Sequence, residues 1–449
     1  MSAFAGQRVA VWGAGASGVA AANLLVKLGA SVVLSDNAPE KSLQINGLLP
    51  EVEVVGGGNV LGGARVLVPS PGIKPSTPAL VAARASAGLV SEIELAASVV
   101  RGPIVAISGT DGKSTTTEMC GAVARAAGCQ VEVCGNIGTP FSEVASDDPA
   151  TVWVVEVSAF QLWSCGAFRP RIAIVTNVAG DHADYFDGDT RAYAQAKARV
   201  LTEQGPGDTA ILRAEDPVVS AFSTGAGVAR VLFGPSPRAR GLGLDGGFIT
   251  LDGQPVMGAG DLPLLGNHNI ANAQAALAAG LGLGLSLAPM VESLKHFQGL
   301  PHRLEHIGDL LGARWYDDSK ATNPHASAVG LAALPGPLVV ITGGFEKGLD
   351  LEPFLQAVLP KARHVIVTGP TGVRTAAALA GRLPVEAAND MADAVARAAR
   401  AAQPGDQVVL SPAASSFDAY RSYAHRGEVF QAAFRAQSER RQERATATG

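Results

Sequence analysis

Short apolar segments alternate with helix-like segments through most of this 449-residue chain. They recur in three groups, at residues 8–12, 31–35, 52–55 and 66–68, then 104–107, 131–134, 152–157, 172–176 and 209–212, then 314–317, 338–342, 364–368 and 407–411. Apolar strands separated by helices are typical of parallel sheets covered on both faces. The alternation therefore predicts an α/β protein built from three doubly wound segments.

Chain length and these groups together predict three domains. We expect a Rossmann-like domain at residues 1–94, a central P-loop ATPase-like domain with a parallel sheet at 95–299, and a second Rossmann-like domain at 300–437. Residues 234–266 are rich in Gly and Pro and predict a hairpin excursion from the central domain. The charged segment 438–449 lacks an apolar face, so we expect a flexible tail.

The octapeptide Ser-Gly-Thr-Asp-Gly-Lys-Ser-Thr at residues 108–115 lies between a predicted strand and a predicted helix. Gly109 and Gly112 allow main-chain amides to approach phosphate oxygens, and the helix N-terminus adds its positive dipole end. Lys113 is then placed to reach the β- and γ-phosphates, and the Ser114 hydroxyl to bind Mg²⁺. The spacing differs from G-x-x-x-x-G-K-[ST], which would require glycine at Ile107. The segment predicts a nucleotide phosphate site of a non-standard kind.

A second glycine loop, G-x-G-x-x-G at residues 13–18, follows the first predicted strand. Asp36 ends the next strand, where an acidic residue can bind a ribose. This pattern is compatible with a nicotinamide dinucleotide, and equally with a UDP-sugar, because any sugar diphosphate makes the same demands. An oxidoreductase therefore remains the alternative to a UDP-binding protein, although no hydride-transfer site is evident downstream.

Several ionisable residues follow the strands of the central segment. Glu156 closes a predicted strand and could share Mg²⁺ with Ser114. For His182, a loop histidine satisfied by its neighbours is the favoured interpretation, because Mg²⁺ prefers oxygen ligands. Lys197 lies on the apolar face of a predicted helix at residues 193–201, where extension to solvent is favoured over burial with a lowered pKa.

The third segment adds charged groups at its own strand ends. The sequence Asp-Asp-Ser-Lys-Ala-Thr-Asn at residues 317–323 follows a strand, and Arg303 and Lys347 lie in neighbouring loops. These cations predict a site for a polyphosphate or another anionic substrate.

The bulk properties restrict the partners. A net charge of −5 argues against a nucleic-acid-binding surface. Four cysteines without a C-x-x-C pair favour a reducing, cytoplasmic setting, and no secretory leader is evident at the N-terminus. The apolar residues 273–290 predict a packed helix end rather than a membrane span. No heptad pattern is present, which favours a monomer.

Four motifs resemble those of the Mur ligase family, the ATP-dependent amide-bond-forming enzymes of peptidoglycan synthesis. They are E-V-S-A-F-Q-L at residues 156–162, D-S-K-A-T-N at 318–323, L-S-P-A-A-S-S-F-D at 410–418, and G-N-H-N at 266–269 followed by Asn272. The resemblance covers nearly the whole chain except the tail. The second motif resembles the branch that adds D-glutamate, because ligases that add L-alanine or the diamino acid differ there.

The resemblance implies a ligase that adds D-glutamate to UDP-N-acetylmuramoyl-L-alanine through an acyl phosphate. It implies ATP and two Mg²⁺ sites, which Mn²⁺ could also fill, with UDP bound by the first domain, ATP by the second and D-glutamate by the third. Residues expected to hold the UDP part are Gly15, Ala16, Ser17, Asp36, Asn37, Ser70, Pro71, Gly72 and Ile73. Residues expected to bind ATP are Gly109, Thr110, Asp111, Gly112, Lys113, Ser114, Thr115, Asn269, Arg303 and Asp318.

The same resemblance assigns the remaining roles. Expected D-glutamate contacts are Thr322, Lys347, Ser416, Phe417 and Tyr423. Expected catalytic residues are Lys113, Asn136, Glu156, His182, Lys197 and Lys320, with Asn136 contacting the muramoyl substrate. The metals would be held by Ser114, Glu156, His182 and a carbamylated Lys197, which reverses the interpretation of His182 and Lys197 from the residues alone.

The chain departs from the family pattern at three positions. Asp111 stands where asparagine is commoner, Ala159 where serine is usual, and Gly180 where an acid is frequent. A carboxylate beside ATP would repel its phosphates, so we expect Asp111 to point away from them or towards metal-bound water. A non-catalytic nucleotide switch is a further alternative, which the joint presence of Lys113, Glu156, His182 and Lys197 disfavours.

Overall fold

A computed structural model describes residues 3–43, 45–179 and 183–447, and its strands form three sheets. The predicted α/β class is confirmed. The chain divides into two compact units, one comprising Met1–Pro263 and His268–Phe297, the other Leu264–Asn267 and Gln298–Gly449. The first unit holds two of the sheets and the second unit holds the third. The domain boundaries predicted near residues 94, 299 and 437 stay predictions.

The first sheet is parallel throughout. Its strands are β1 (Arg8–Trp12), β2 (Ser31–Asp36), β3 (Glu53–Gly56), β4 (Val66–Pro69) and β5 (Gly88–Leu89), and its helices are α1 (Ala16–Lys27), α2 (Pro78–Ala83) and α3 (Glu92–Ala97). Their order is β3-β2-β1-β4-β5. The chain runs outwards from β1 to β3 and then continues with β4 on the other side of β1. The loops after β1 and β4 therefore lie side by side at the carboxyl edge of the sheet.

The second sheet has nine strands. They are β6 (Ile104–Ser108), β7 (Gln130–Gly135), β8 (Thr151–Glu156), β9 (Ile172–Val175), β10 (Thr209–Arg213), β11 (Ala229–Phe233), β12 (Leu242–Asp245), β13 (Phe248–Leu251) and β14 (Gln254–Gly258). The order is β14-β13-β12-β11-β10-β9-β6-β8-β7. Within this sheet β12, β13 and β14 pair antiparallel, so the predicted hairpin excursion forms one edge.

Among the described residues, seven α-helices accompany the second sheet. They are α4 (Lys113–Ala126), α5 (Phe141–Val144), α6 (Ala159–Leu162), α7 (Thr190–Ala198), α8 (Pro217–Ser220), α9 (Asn267–Gly282) and α10 (Leu287–Lys295). All five residues of β6 are buried, as expected for a central strand between helical layers. One apolar core runs from β1 and α1 through β6, β8 and β9.

The third sheet makes up the second unit. Its strands are β15 (Glu305–Leu310), β16 (Ala313–Asp317), β17 (Leu338–Gly343), β18 (Ala362–Thr368), β19 (Val385–Ala387) and β20 (Gln407–Leu410), and its helices are α11 (Pro324–Ala333), α12 (Glu352–Val358), α13 (Gly369–Leu379), α14 (Met391–Ala401) and α15 (Tyr423–Ala447). The order is β15-β16-β20-β17-β18-β19, and only β15 is antiparallel to its neighbour. Apolar clusters cover both faces.

Helix α15 includes most of the segment predicted to be a flexible tail. The helix continues to Ala447, well beyond Ser438. Glu, Arg, Gln and Ala favour helix even without an apolar face, which the prediction from patterning overlooked. In the described part of the chain, no helix combines the length and apolar character required to cross a bilayer.

Candidate active site

The loop between β6 and α4 has the strand–loop–helix geometry predicted for residues 108–115. Gly109 and Gly112 have φ angles of 145° and 80°, which disfavour side chains. A Cβ on Gly109 would lie 1.8 Å from Thr176 Oγ1. Both glycines are therefore required by the backbone, and helix α4 begins directly after the second of them.

The end of β9 holds this loop in place, a contribution that sequence reasoning missed. Asn177 Oδ1 accepts hydrogen bonds from the backbone N–H groups of Thr110 (3.1 Å) and Asp111 (2.9 Å). Thr176 Oγ1 donates to the Asp111 carbonyl at 2.6 Å. Lys113 Nζ donates to the Thr110 carbonyl at 2.8 Å. The sequence could have indicated this role, because Thr176 and Asn177 directly follow β9, the strand that pairs with β6.

The Asp111 side chain is exposed, whereas its backbone is bonded on both sides. The loop therefore depends on the main chain of this residue rather than on its carboxylate. An asparagine would preserve the backbone bonds.

Glu156 ends β8 and pairs in register with Ile107 of β6. Only 2% of the residue is exposed, and its Oε1 accepts a hydrogen bond from Asn136 Nδ2 at 2.8 Å. Its Oε2 is buried without a hydrogen-bond partner among the residues that the structure describes. A buried carboxylate oxygen in that state is costly unless a ligand meets it. An oxygen-seeking divalent cation fits this position, with the Ser114 hydroxyl on the first turn of α4 as a second ligand.

Helix α7 brings Tyr193 and Lys197 to the phosphate loop. Lys197 is 1% exposed, its Nζ donates to the Gly109 carbonyl at 2.6 Å, and Nζ lies 4.4 Å from the centroid of the Tyr193 ring. The Tyr193 hydroxyl lies 3.2 Å from Thr110 Oγ1. The interpretation of Lys197 as a solvent-directed lysine is therefore wrong, because packing of this helix face against the loop leaves no route to solvent. His182 and Gly180 lie outside the described residues.

The G-N-H-N motif at residues 266–269 and the following Asn272 lie at the start of α9. Asn272 Nδ2 donates to Asn269 Oδ1, and Asn272 Oδ1 accepts from Thr116 Oγ1, both at 3.2 Å. Both asparagines are buried. The expected residue Asn269 is thus joined to helix α4 through Asn272.

The glycine loop after β1, in the first sheet, is held by the side chain of Asp36. Asp36 accepts hydrogen bonds from the backbone N–H groups of Ala14 (2.8 Å) and Ala38 (2.9 Å), one on each carboxylate oxygen. Close packing of α1 requires Gly18, since a Cβ there would lie 1.9 Å from the Gly13 carbonyl oxygen. Gly15, Ala16 and Asn37 are exposed beside this loop, and Ser17 is half-buried.

The expected turn at residues 70–73 follows β4. The Ser70 carbonyl accepts from the Ile73 N–H at 3.0 Å, and Ser70 Oγ accepts from the Gly72 N–H at 3.3 Å. The Tyr185 hydroxyl donates to the Ile73 carbonyl at 2.7 Å. This turn therefore lies beside the loop after β1 and is tied to the segment before α7.

In the second unit, the loop after β16 carries a buried acid. Asp318 accepts from the Leu304 N–H (3.2 Å) and the Ser411 hydroxyl (3.3 Å). Burial raises the pKa of Asp318 to about 7, and the positive charge of Arg303 opposes that rise. Arg303 Nε is itself buried without a partner in the described part of the chain. Arg303 and Asp318, which are both expected to bind ATP, are thus close enough for their charges to interact.

The expected D-glutamate residues lie on three loops at the carboxyl edge of the third sheet. Lys320 Nζ lies 5.5 Å from the centroid of the Tyr423 ring, and the Phe345 N–H donates to the Ser415 carbonyl at 2.9 Å. Ser416 is buried, Thr322 is half-buried, and Lys347 and Phe417 are exposed. The loops after β16, β17 and β20 therefore bring most of these residues to one edge.

Comparisons with known proteins agree with this geometry. Residues 107–280 match the model of the Mur ligase middle domain, and residues 302–414 match that of the Mur ligase, glutamate ligase domain. UDP-N-acetylmuramoylalanine--D-glutamate ligase of Pelotomaculum thermopropionicum is 38% identical over 95% of this chain and 97% of its own. The enzyme of that name from Nitrosococcus oceani is 37% identical over 95% and 96%.

Solved structures share the fold at lower identity. MurF ligase of Thermotoga maritima, in complex with ADP, has a TM-score of 0.59 at 16% identity and covers 98% of this chain and 96% of its own. UDP-N-acetylmuramate-alanine ligase of the same organism has a TM-score of 0.58 at 20% identity, covering 96% and 100%.

A strand–loop–helix phosphate site with a buried acid and a buried lysine defines a nucleotide-using α/β enzyme. Within that class, the chain belongs to the Mur ligase family, as the motifs predicted. The curated relatives are ligases, so the comparisons favour this family over a nicotinamide oxidoreductase.

Proposed function

We propose that this protein is the ATP-dependent ligase that joins D-glutamate to UDP-N-acetylmuramoyl-L-alanine. Its relatives at 37–38% identity over 95% of the chain carry that activity in their names. One structural observation carries the phosphoryl-transfer part of the proposal. The phosphate loop lies beside Glu156, a buried carboxylate with one oxygen still without a partner among the described residues.

The substrate's L-alanyl carboxylate oxygen attacks the γ-phosphorus of ATP, and the bond between that phosphorus and the ADP oxygen breaks. The amine nitrogen of D-glutamate then attacks the carbonyl carbon of the acyl phosphate, inorganic phosphate leaves, and the nitrogen loses its extra proton. Lys113 offsets charge on the transferring phosphoryl group, and Lys320 contacts the phosphates. The protein mainly positions reactants and neutralises charge, as in other phosphoryl transfers.

Glu156 and Ser114 would hold the first Mg²⁺, and His182 with a carbamylated Lys197 the second. Bound Mg²⁺ supplies charge neutralisation for the phosphates. When the neutral amine of Lys197 adds to CO₂ and loses one proton, the resulting carbamate would offer two oxygen ligands and keep one N–H for the Gly109 carbonyl. The burial of Lys197 against that carbonyl supports this assignment.

Substrate binding is divided between the sheets. The loop at residues 13–18, Asp36 with Asn37, and the turn at 70–73 bind the UDP part, and Asn136 contacts the muramoyl part. Asn269, Arg303 and Asp318 bind the nucleoside side of ATP. The residues that bind D-glutamate are Thr322, Lys347, Ser416, Phe417 and Tyr423.

We also propose a cytoplasmic monomer. All four cysteines are free, and Cys120, Cys134 and Cys165 are buried, which suits a reducing compartment. UDP-sugars and ATP are available in the same compartment.

Phosphate release tests the proposed function. We expect release that requires ATP, UDP-N-acetylmuramoyl-L-alanine and D-glutamate together, with L-glutamate as the matched control. A parallel titration compares UDP with NADH. Tight NADH binding without UDP binding, or release that ignores D-glutamate, would contradict the proposal.

A further inference from the structure

Arg426 lies in the first turn of α15, and only 2% of the residue is exposed. Its Nε donates to Ser319 Oγ at 2.9 Å, its Nη2 to the Ser319 carbonyl at 2.8 Å, and its Nη1 to the Ala414 carbonyl at 3.0 Å. Ser319 follows β16 and Ala414 follows β20. Because a guanidinium is planar and its donors are fixed, these bonds hold the two loops in one relation.

A third loop meets the same guanidinium. A Cβ on Gly344, directly after β17, would lie 3.1 Å from Arg426 Nη1 and 2.4 Å from the Ser415 carbonyl oxygen. Strands β16, β20 and β17 are adjacent in the sheet. One arginine therefore contacts or closely approaches the loops at the carboxyl ends of three neighbouring strands.

Helix α15 is itself anchored beside these loops. Ser319 Oγ donates to the Tyr423 carbonyl at 2.8 Å, and Gln431 Nε2 donates to Asp317 Oδ2 at 3.0 Å. A Cβ on Gly427 would lie 2.1 Å from His302 Nδ1, so the helix packs closely on the loop before β15. The position of Arg426 is thus determined by its own helix as well as by its acceptors.

The charge of Arg426 lacks a direct counter-ion. No carboxylate lies within 4.0 Å of its guanidinium among the residues described in this unit. Burial lowers the pKa of Arg426 to about 10, so the group is still protonated at neutral pH. The carboxylates of Asp418, Asp317 and Asp318 act on this charge from a longer distance and offset part of it, whereas the hydrogen bonds that fix the guanidinium go to neutral acceptors.

We propose that Arg426 is a positioning residue for ligation. It holds the loops that carry Lys320, Lys347 and Ser416 in the relation that D-glutamate and the phosphoryl group require. This inference rests on the proposed function. Sequence reasoning did not single out Arg426, because an arginine in a polar helix resembles an ordinary surface residue.

The test compares Arg426→Lys with Arg363→Lys. Lysine keeps the charge but cannot span three acceptors, so we expect the KM for D-glutamate to rise about tenfold and kcat to fall about tenfold. The KM for the UDP-substrate should change less than about twofold, because that site is assigned to other loops. Arg363 bonds Asp406 at the opposite end of the same sheet, so its lysine variant should behave as wild type.

A second variant distinguishes a role of Arg426 in positioning the loops from a role in stabilising the fold. Arg426→Ala should lose more activity than the lysine variant, and added guanidinium ion should restore part of it. Hydrogen exchange, measured without substrates, should accelerate in residues 317–323, 343–347 and 411–418 in both variants and remain unchanged elsewhere.

Three results would overturn the inference. They are wild-type kinetic constants in Arg426→Lys, a loss that only follows the fraction of folded protein with all KM values unchanged, or global unfolding of both variants. Failure of the proposed function would appear differently, as wild-type enzyme that releases no phosphate with D-glutamate. The exchange measurement would still judge the positioning of the loops in that case.

Discussion

The two glycine loops of the first unit share a backbone layout and differ in the side chains around them. Each joins a buried strand to a helix, β1 to α1 and β6 to α4. At the first loop, the carboxylate of Asp36 accepts from two backbone amides. At the second loop, Lys113, the buried Lys197 and Glu156, whose Oε2 has no partner among the described residues, surround the backbone.

This difference shows what a glycine loop can and cannot indicate. Backbone amides suited to phosphate follow from the glycines in both loops. The proposed reaction needs cations and carboxylates supplied by neighbouring strands and helices, and among the described residues the second loop has Lys113, Lys197 and Glu156 close to it. The first loop is therefore suited to anchor a diphosphate, and the second to transfer a phosphoryl group.

Lys113→Ala should produce the largest contrast between the loops. We expect turnover to fall roughly 10²–10³-fold, as when a donor to developing negative charge is removed. The KM for the UDP-substrate should be unaffected. Lys27→Ala, at the exposed end of the helix after the first loop, is the matched control. Near-normal turnover in Lys113→Ala would remove the distinction between the two loops.

Glu156→Gln tests the metal assignment at the second loop. The amide preserves size and can still accept from Asn136, but it offers a divalent cation no negative charge. We expect activity to fall roughly 10–100-fold and the Mg²⁺ concentration for half-maximal rate to rise, on the scale seen when support of a metal site is lost. Chelation should abolish wild-type activity. An unchanged Mg²⁺ requirement would contradict the assignment.

Asp36→Asn is the corresponding change at the first loop. Asparagine offers one acceptor oxygen where the carboxylate offers two, so one backbone N–H loses a charge-assisted bond worth about 1.5–3 kcal/mol. We expect the KM for the UDP-substrate to rise about tenfold or more, since 1.4 kcal/mol corresponds to tenfold. The KM for ATP should remain constant. A change in Mg²⁺ dependence would mean that the loops are not independent.

Asp318, in the second unit, is an acid of a different kind from Asp36. Its pKa is determined mainly by burial rather than by hydrogen bonds from the backbone. Burial raises the pKa of Asp318 to about 7, so its carboxyl is largely neutral below that pH. The ionised form accepts ribose hydroxyls better, so the KM for ATP should fall several-fold as pH rises through 7. Asp318→Asn should abolish this dependence, and a pH-independent wild-type KM would argue against the contact.

The same raised pKa has a consequence for stability. Folding favours the protonated form of Asp318, so its contribution is complete below the ordinary pKa of an aspartate and is lost as pH rises through 7. Denaturant titrations from pH 5 to 8 should show a smaller decline of the unfolding free energy in Asp318→Asn than in wild type.

Asp111→Asn should have the smallest effect. Its carboxylate is exposed, and screening weakens its repulsion of ATP. We expect the KM for ATP to fall by about twofold at low salt, and less at high salt, because an exposed charge contributes little. A large loss of activity would instead indicate that the carboxylate takes part in the reaction.

The elements recognised from sequence are those with strong local patterns. The predicted strand at residues 8–12 agrees with β1 at both ends, and the one predicted at 172–176 agrees with β9 to within one residue. The missed strands include β5, β15 and β19, which are short or polar and lie at sheet edges. Such strands are defined by pairing with a neighbour, which local composition does not show.

The residues of the candidate site likewise fall into those that the sequence indicates and those that it does not. Glycines, Lys113 and Glu156 were recognisable because their spacing and place after a strand carry the information. Thr176, Asn177 and Arg426 were not, because their contacts join residues distant in the chain. Lys197 was misjudged from its helix face alone, since burial depends on what packs against that face.

The sequence by itself therefore determined the α/β alternation, the two glycine loops and the family of this protein. Strand periodicity, the positions of glycines and the residue types of the motifs are local properties that a chain carries before it folds. Only the tertiary structure decided that Lys197 is buried on Gly109, that Glu156 keeps an oxygen without a partner in the described chain, and that Arg426 bonds two loops and lies close to a third. Those are properties of packing, because burial and hydrogen-bond partners depend on residues that meet only when the sheets have formed.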